Sequence, residues 1–149
     1  LKYIRKRGVI SLSPEVIELA KVGERSIDLI SSAELERLIA APNTNELQGK
    51  RDRAILELLF STGLRISELC GLSIDDVDLT RDEFSIRGKG DKVRVVFLSD
   101  SAKDAIREYL KNRKDLDDAL FIQYGKKAHT AKELRLSPRA VQRVLTTTF

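Results

Sequence analysis

The sequence predicts an α+β fold, mainly helical with a small three-stranded antiparallel sheet. Apolar residues recur at helical spacing between Ser31 and Gly71, and the period switches to strict alternation between Glu83 and Phe97. Helical spacing returns after Ser99. The order is therefore helices, sheet, helices.

Residues 1–7 read as the end of a helix stopped at Gly8, and the Pro- and Gly-punctuated VISLSPEVIELAKVGERSIDL that follows reads as a linker. Ser31 and Glu34 have the spacing of a capping box ahead of Leu35, Leu38 and Ile39, which predicts a helix ending near Pro42. A second helix is expected from about Gly49 through RDRAILELLFSTG, with Ile55, Leu58 and Leu59 on one stripe and Gly63 as its stop. LRISELCGL predicts a short third helix closed by Gly71. Phe84 and Ile86 then alternate with polar neighbours, as do Val93, Val95 and Phe97 with Lys92 and Arg94. This pattern predicts a β-hairpin with one buried face, to which DDVDL adds a third strand. Ser99 caps a helix carrying Ala102, Ile106, Tyr109 and Leu110, ALFIQ is a short apolar segment, and Ser137-Pro138 starts a last helix that turns Val141, Val144 and Leu145 inward.

Composition narrows the function classes. A chain of 149 residues, 42% hydrophobic and 34% charged, suits one compact domain. No apolar run approaches bilayer length, and LKYIRKRGVI lacks the apolar stretch of a signal peptide, so a soluble, cytoplasmic protein with no membrane partner is expected. One Cys and one His exclude an internal disulfide framework and the usual zinc ligand sets, which leaves chemistry without metal or cofactor, or plain binding. No Met occurs anywhere, so the chain reads as a piece of a longer protein.

The net charge of +4 is unevenly spread: six basic residues face three acidic ones in 1–25, and six face one in 126–149. Basic ends suit phosphate binding with counterion release, although a solvated tail has the same composition.

Two cations stand out. Arg65 follows TGL at a helix junction with Glu68 three residues on, so a carboxylate can hold its guanidinium in one direction. An arginine so held suits clamping a phosphate through paired N–H groups, and the bland reading is a solvated pair. Lys89 lies between Gly88 and Gly90 at the hairpin tip, where a bare turn lets an ammonium reach a phosphate and protonate a leaving alkoxide; the bland reading is a turn lysine in water. Lys92 is its neighbouring competitor.

TGLRISELCGL followed by a hairpin tipped GKGDK resembles the tyrosine recombinases, in particular the Xer and phage-integrase group. RDRAILELLFSTGLR, DDVDL, VVFLSD and SPRAVQRV are similar to that family's catalytic domain in order and spacing. The resemblance implies the N-terminal part of that catalytic domain over 26–149, and over 1–25 the end of a preceding DNA-binding domain and its linker. It implies Arg65 as the first catalytic arginine, Lys89 as the general acid and Glu68 as the arginine's buttress. Lys92, Arg139 and Arg143 become DNA-binding candidates, the last two being one helical turn apart and away from Val141. The activity implied is site-specific recombination of double-stranded DNA through a 3′-phosphotyrosine, without metal or cofactor, by a parent enzyme tetrameric on two duplexes.

The chain departs from the family pattern downstream. No H-x-x-R segment and no terminal nucleophilic Tyr are present; His129 begins HTAK, with Lys132 where the motif requires Arg, and reads as a loop residue. Tyr3, Tyr109 and Tyr124 precede the nucleophile's place, with packing the better account of the last two, and Cys70 reads as core. The chain alone is therefore expected to be inactive in strand cleavage. A non-catalytic DNA-binding or regulatory module of the same fold is the alternative, and a helical protein-interaction domain is a third.

Overall fold

The computed structural model describes residues 3, 6–8, 29–88, 91–125 and 134–148. Contacts divide the chain into Leu1–Ile30 and Ser31–Phe149. In the first unit Tyr3 and Lys6 are helical and Gly8 has φ +77°; the expected linker lies almost wholly outside the described residues.

The second unit holds five helices among its described residues: α1 (Ser32–Ala40), α2 (Leu47–Thr62), α3 (Ile66–Gly71), α4 (Asp100–Asn112) and α5 (Pro138–Thr148). Local chemistry sets their ends. Glu34 accepts from the Ser31 backbone N–H at 2.9 Å while the Glu34 N–H donates to Ser31 Oγ at 3.3 Å, which closes the capping box of α1. Gly63 ends α2 in the left-handed region at φ 62°, its N–H donating to the Leu59 carbonyl at 2.9 Å. Ser99 Oγ accepts from the Ala102 N–H and Ser137 Oγ from the Ala140 N–H, capping α4 and α5. No helix among the described residues is long and apolar enough to cross a membrane.

β1 (Glu83–Arg87) and β2 (Val93–Phe97) pair antiparallel with Phe84 opposite Val96 and Ile86 opposite Arg94. Among the described residues the sheet has these two strands rather than three. The expected third strand, DDVDL, is instead a 3-10 turn (Ile74–Asp76) and a loop, because its carboxylates bond the nearby chain: Asp76 accepts from the Ser73 N–H, and Asp78 from the Thr80 N–H and hydroxyl. Such local bonds compete with a ladder.

A second difference concerns β2. Phe84, Ile86 and Val96 face the core, whereas Val93, Val95 and Phe97 are exposed. Side chains alternate, so the inward residues are Val96 and, one pair along, Arg94. The run VRVVF is apolar at both parities over its last three residues, and the pairing with β1 selects between them.

The core joins Ala54, Ile55 and Leu58 of α2, Ala102, Ile106 and Tyr109 of α4, and the buried ALFIQ segment. Short bridges, Ser73 with Ala119 and Ile122 with Arg135, tie that segment between the end of α3 and the start of α5. Lys103, almost wholly buried, pairs with Asp82 and Asp100 at 2.7 Å each, fastening α4 to the loop that enters β1. Val141 anchors α5, with Val144 and Leu145 half-buried beside it.

Candidate functional site

Arg65 is the residue on which α3 begins. Gly63 turns the chain out of α2, the buried Leu64 anchors the crossing, and Arg65 adopts extended angles (φ −69°, ψ 148°) as the helix N-cap. Its backbone N–H donates to Glu68 Oε2 at 2.8 Å, and its Nη1 donates to Glu68 Oε1 at 3.0 Å. The side chain is 69% exposed, while that of Glu68 is only 8% exposed. The remaining guanidinium N–H groups of Arg65 have no partner among the described residues and face solvent.

Glu68 also accepts both terminal nitrogens of Arg94, Nη1 to Oε1 at 2.9 Å and Nη2 to Oε2 at 2.8 Å. This is the fork-on-fork geometry in which a guanidinium and a carboxylate bind most firmly. These bonds, Arg94's first and then the Arg65 backbone N–H, hold the Glu68 carboxyl at about 2, well below the ordinary carboxylate range, against the opposing pull of desolvation. Glu68 therefore stays anionic through the neutral range. With one negative charge between two guanidiniums, the cluster keeps a net positive charge.

The hairpin reaches this cluster through Gly88. Its N–H donates to the Lys92 carbonyl at 2.9 Å, closing the ladder. A Cβ on Gly88 would lie 3.2 Å from Glu68 Oε1 and 3.4 Å from Arg94 Nη1, so the absence of a side chain lets the backbone rest on the ion cluster. The neighbouring left-handed position belongs to Asp91 at φ 63°, whose carboxylate accepts from Arg87 Nη1 at 2.9 Å. Between α3 and β1 opens a groove of about 850 Å³ lined by Arg65, Glu68, Ser85, Arg87 and Gly88 among others.

The sequence candidates sort unevenly over this geometry. Arg65 and Glu68 come together as their spacing predicts. Lys89 lies outside the described residues, as do His129 and Lys132. Lys92 is exposed at the strand entrance. Arg139 and Arg143 are exposed on α5, and Arg143 lines a different depression, of about 610 Å³, together with Asn43, Arg51 and Tyr124.

Tyr109 and Tyr124 are held for packing, whereas Tyr3 is exposed. Tyr109 is fully buried, stacked on Phe121 at 5.8 Å, and its hydroxyl oxygen accepts from the Tyr124 hydroxyl at 3.0 Å. Burial pushes both phenols up, away from the ionised form a nucleophile needs. Cys70 is buried and its thiol is likewise pushed up. Arg51, also buried, is spent on Asp52 and the Ile122 carbonyl.

Arg94 is the site residue that reading the sequence missed. Its alternation with Val93 and Val95 suggests a solvent-facing strand residue. The available signal is that it shares its parity with Val96 and Leu98, both buried.

A small hairpin docked on a helical core thus carries, at its junction with α3, a carboxylate-braced arginine whose side chain is exposed. The chain belongs to the phage integrase family, whose model matches residues 29–149. It is 33% identical to the tyrosine recombinase XerC of Thermodesulfovibrio yellowstonii over 96% of this chain and 48% of that protein. Among solved structures, the XerA recombinase superposes with a TM-score of 0.65 and 28% identity over 80% of this chain and 41% of its own. The XerH site-specific recombinase bound to palindromic difH substrate, in a post-cleavage complex, gives 0.60 and 24% over 85% and 37%. The chain thus spans less than half the length of these proteins, and the fold is the one of the tyrosine recombinase catalytic domain.

Proposed function

We propose that this chain is the N-terminal portion of the catalytic domain of a tyrosine recombinase and serves site-specific recombination of double-stranded DNA. In this reading residues 26–149 form that portion, and residues 1–25 are the end of a preceding DNA-binding domain and its linker. The observation that carries the reading is the Arg65–Glu68–Arg94 cluster: an exposed guanidinium, braced from behind by an anionic carboxylate, with free N–H groups directed to solvent beside the end of the hairpin. Family membership and the likeness to a recombinase bound to its DNA substrate support it.

In this reading Arg65 grips the non-bridging oxygens of one phosphate and stabilises the charge that grows as the phosphorus becomes five-coordinate. A tyrosine hydroxyl of the parent gives up its proton to a general base as its oxygen forms the new bond to phosphorus, the bond to the 5′-oxygen breaks, and Lys89 supplies the proton that oxygen takes up. A 5′-hydroxyl reverses the step, returning the proton and releasing the tyrosine. Glu68 keeps Arg65 aimed, and Lys92, Arg139 and Arg143 hold the DNA backbone. The parent works as a tetramer on two duplexes. No tyrosine of this chain stands where the family carries its nucleophile, so the chain alone is incompetent for cleavage.

Two assays test this. Titration with duplex DNA should show binding that weakens steeply with salt, and Arg65→Ala should weaken it while lowering the magnitude of the salt slope by about one. Binding indifferent to salt would overturn the reading. With a nicked suicide substrate, no phosphotyrosine adduct should form; an adduct would refute the reading that the chain alone is incompetent for cleavage.

A further inference from the structure

Arg94 lies in β2, 26 residues from Glu68 and on another element, yet its side chain makes two bonds to that carboxylate where the Arg65 side chain makes one. A carboxylate offers about four acceptor positions. Here Oε1 is shared by Nη1 of Arg65 and Nη1 of Arg94, and Oε2 by the Arg65 backbone N–H and Nη2 of Arg94. All four are filled. Because Arg94 occupies one whole edge of the carboxylate, Arg65 is left a single side-chain bond, through Nη1, instead of a paired grip that would consume two of its N–H groups. The rest of its guanidinium stays turned outward.

Arg94 also fixes the hairpin to α3. It stands opposite Ile86 in the ladder, its Nη1 lies against the position a Gly88 Cβ would take, and Gly88 is the last described residue before Lys89. One side chain thus touches both the carboxylate that holds Arg65 and the seat of Gly88. Its own terminal nitrogens are engaged, and its side chain is 37% exposed against 69% for Arg65.

We propose that Arg94 is the positioning residue of this site: it locks Glu68 so that Arg65 presents its free N–H groups to a DNA phosphate and the hairpin end stays against the same carboxylate. The inference rests on the reading of Arg65 as a phosphate clamp. Lysine cannot replace it, because an ammonium is a point charge without the planar fork that meets both oxygens.

The test uses the whole chain, with Arg94→Lys, Arg65→Ala and the double variant. Anisotropy with a short duplex at low salt should show Arg94→Lys weakening binding by about tenfold, the worth of a lost charge-assisted bond. In the Arg65→Ala background the same change should alter affinity by less than about twofold, since the two residues act as one unit. Losses that add would make Arg94 an independent DNA contact and overturn the proposal. In parallel, 15N relaxation of the Arg65 Nε–H, without DNA, should show an ordered guanidinium in the parent chain and a mobile one in Arg94→Lys. Unchanged order would also overturn it. If the parent chain fails to bind DNA, the functional reading falls while the relaxation result still decides the role of Arg94. Should Arg94→Lys not melt cooperatively, Arg94→Gln carries the same readouts with the same expected signs.

Discussion

Glu68→Gln is the sharpest perturbation of the site. Glutamine matches the shape of glutamate but has one acceptor oxygen and one NH2 group. Each carboxylate oxygen receives two donors: Arg65 Nη1 and Arg94 Nη1 on Oε1, and the Arg65 N–H and Arg94 Nη2 on Oε2. Whichever way the amide turns, its NH2 end meets two N–H donors, and two of the four bonds are lost. The single bond from the exposed Arg65 side chain is the most screened by solvent, while those from Arg94 and the backbone N–H sit where Glu68 is itself nearly buried. At about 1 kcal/mol for each lost bond, the cost is about 2 kcal/mol. For a domain of this size that corresponds to a drop in Tm of about 8 °C.

The same variant carries a pH signature. The folded-state pKa of Glu68, about 2, lies below its ordinary value. Its stabilisation is therefore complete above the ordinary glutamate range of about 4.3 and is lost as pH falls toward about 2. Glutamine does not titrate, so the gap in Tm between parent and variant should be constant near neutrality and close as the solution is acidified from about pH 4.5. Thermal melts by circular dichroism across this range measure it. A gap below about 2 °C at neutral pH, or one that persists unchanged to about pH 2.5, would refute the bonding scheme.

Two further changes probe the scaffold. Ile106→Ala empties a fully buried position on α4 and should cost about 2–5 kcal/mol in urea unfolding, with the midpoint moving and the slope unchanged. Gly49→Ala should destabilise by more than about 2 kcal/mol, because the new Cβ would run into the Asn43 carbonyl oxygen and the α1–α2 loop must move to admit it.

Much of this protein was legible one turn at a time. The capping box of Ser31 and Glu34, the left-handed stop at Gly63, the serine caps at Ser99 and Ser137 and the proline at the first position of α5 all use bonds between residues a few positions apart. The Arg65–Glu68 pair belongs to the same class, since a spacing of three places both on one side of a helix turn. The expected third strand is absent among the described residues for a local reason too: within DDVDL the carboxylates of Asp76 and Asp78 bond the nearby backbone, which competes with a ladder.

By itself the sequence determined where helices begin and end, which arginine stands at the α2–α3 junction and which carboxylate braces it, because these depend on forces that act within one helical turn. Only the tertiary structure decided which face of β2 enters the core, and with it that Arg94 crosses 26 residues of chain to close on Glu68. A strand apolar on both faces has no preferred side until a partner strand and a core are present. The choice is made by burial of Phe84, Ile86 and Val96 together, and a one-residue shift would have turned Arg94 to water.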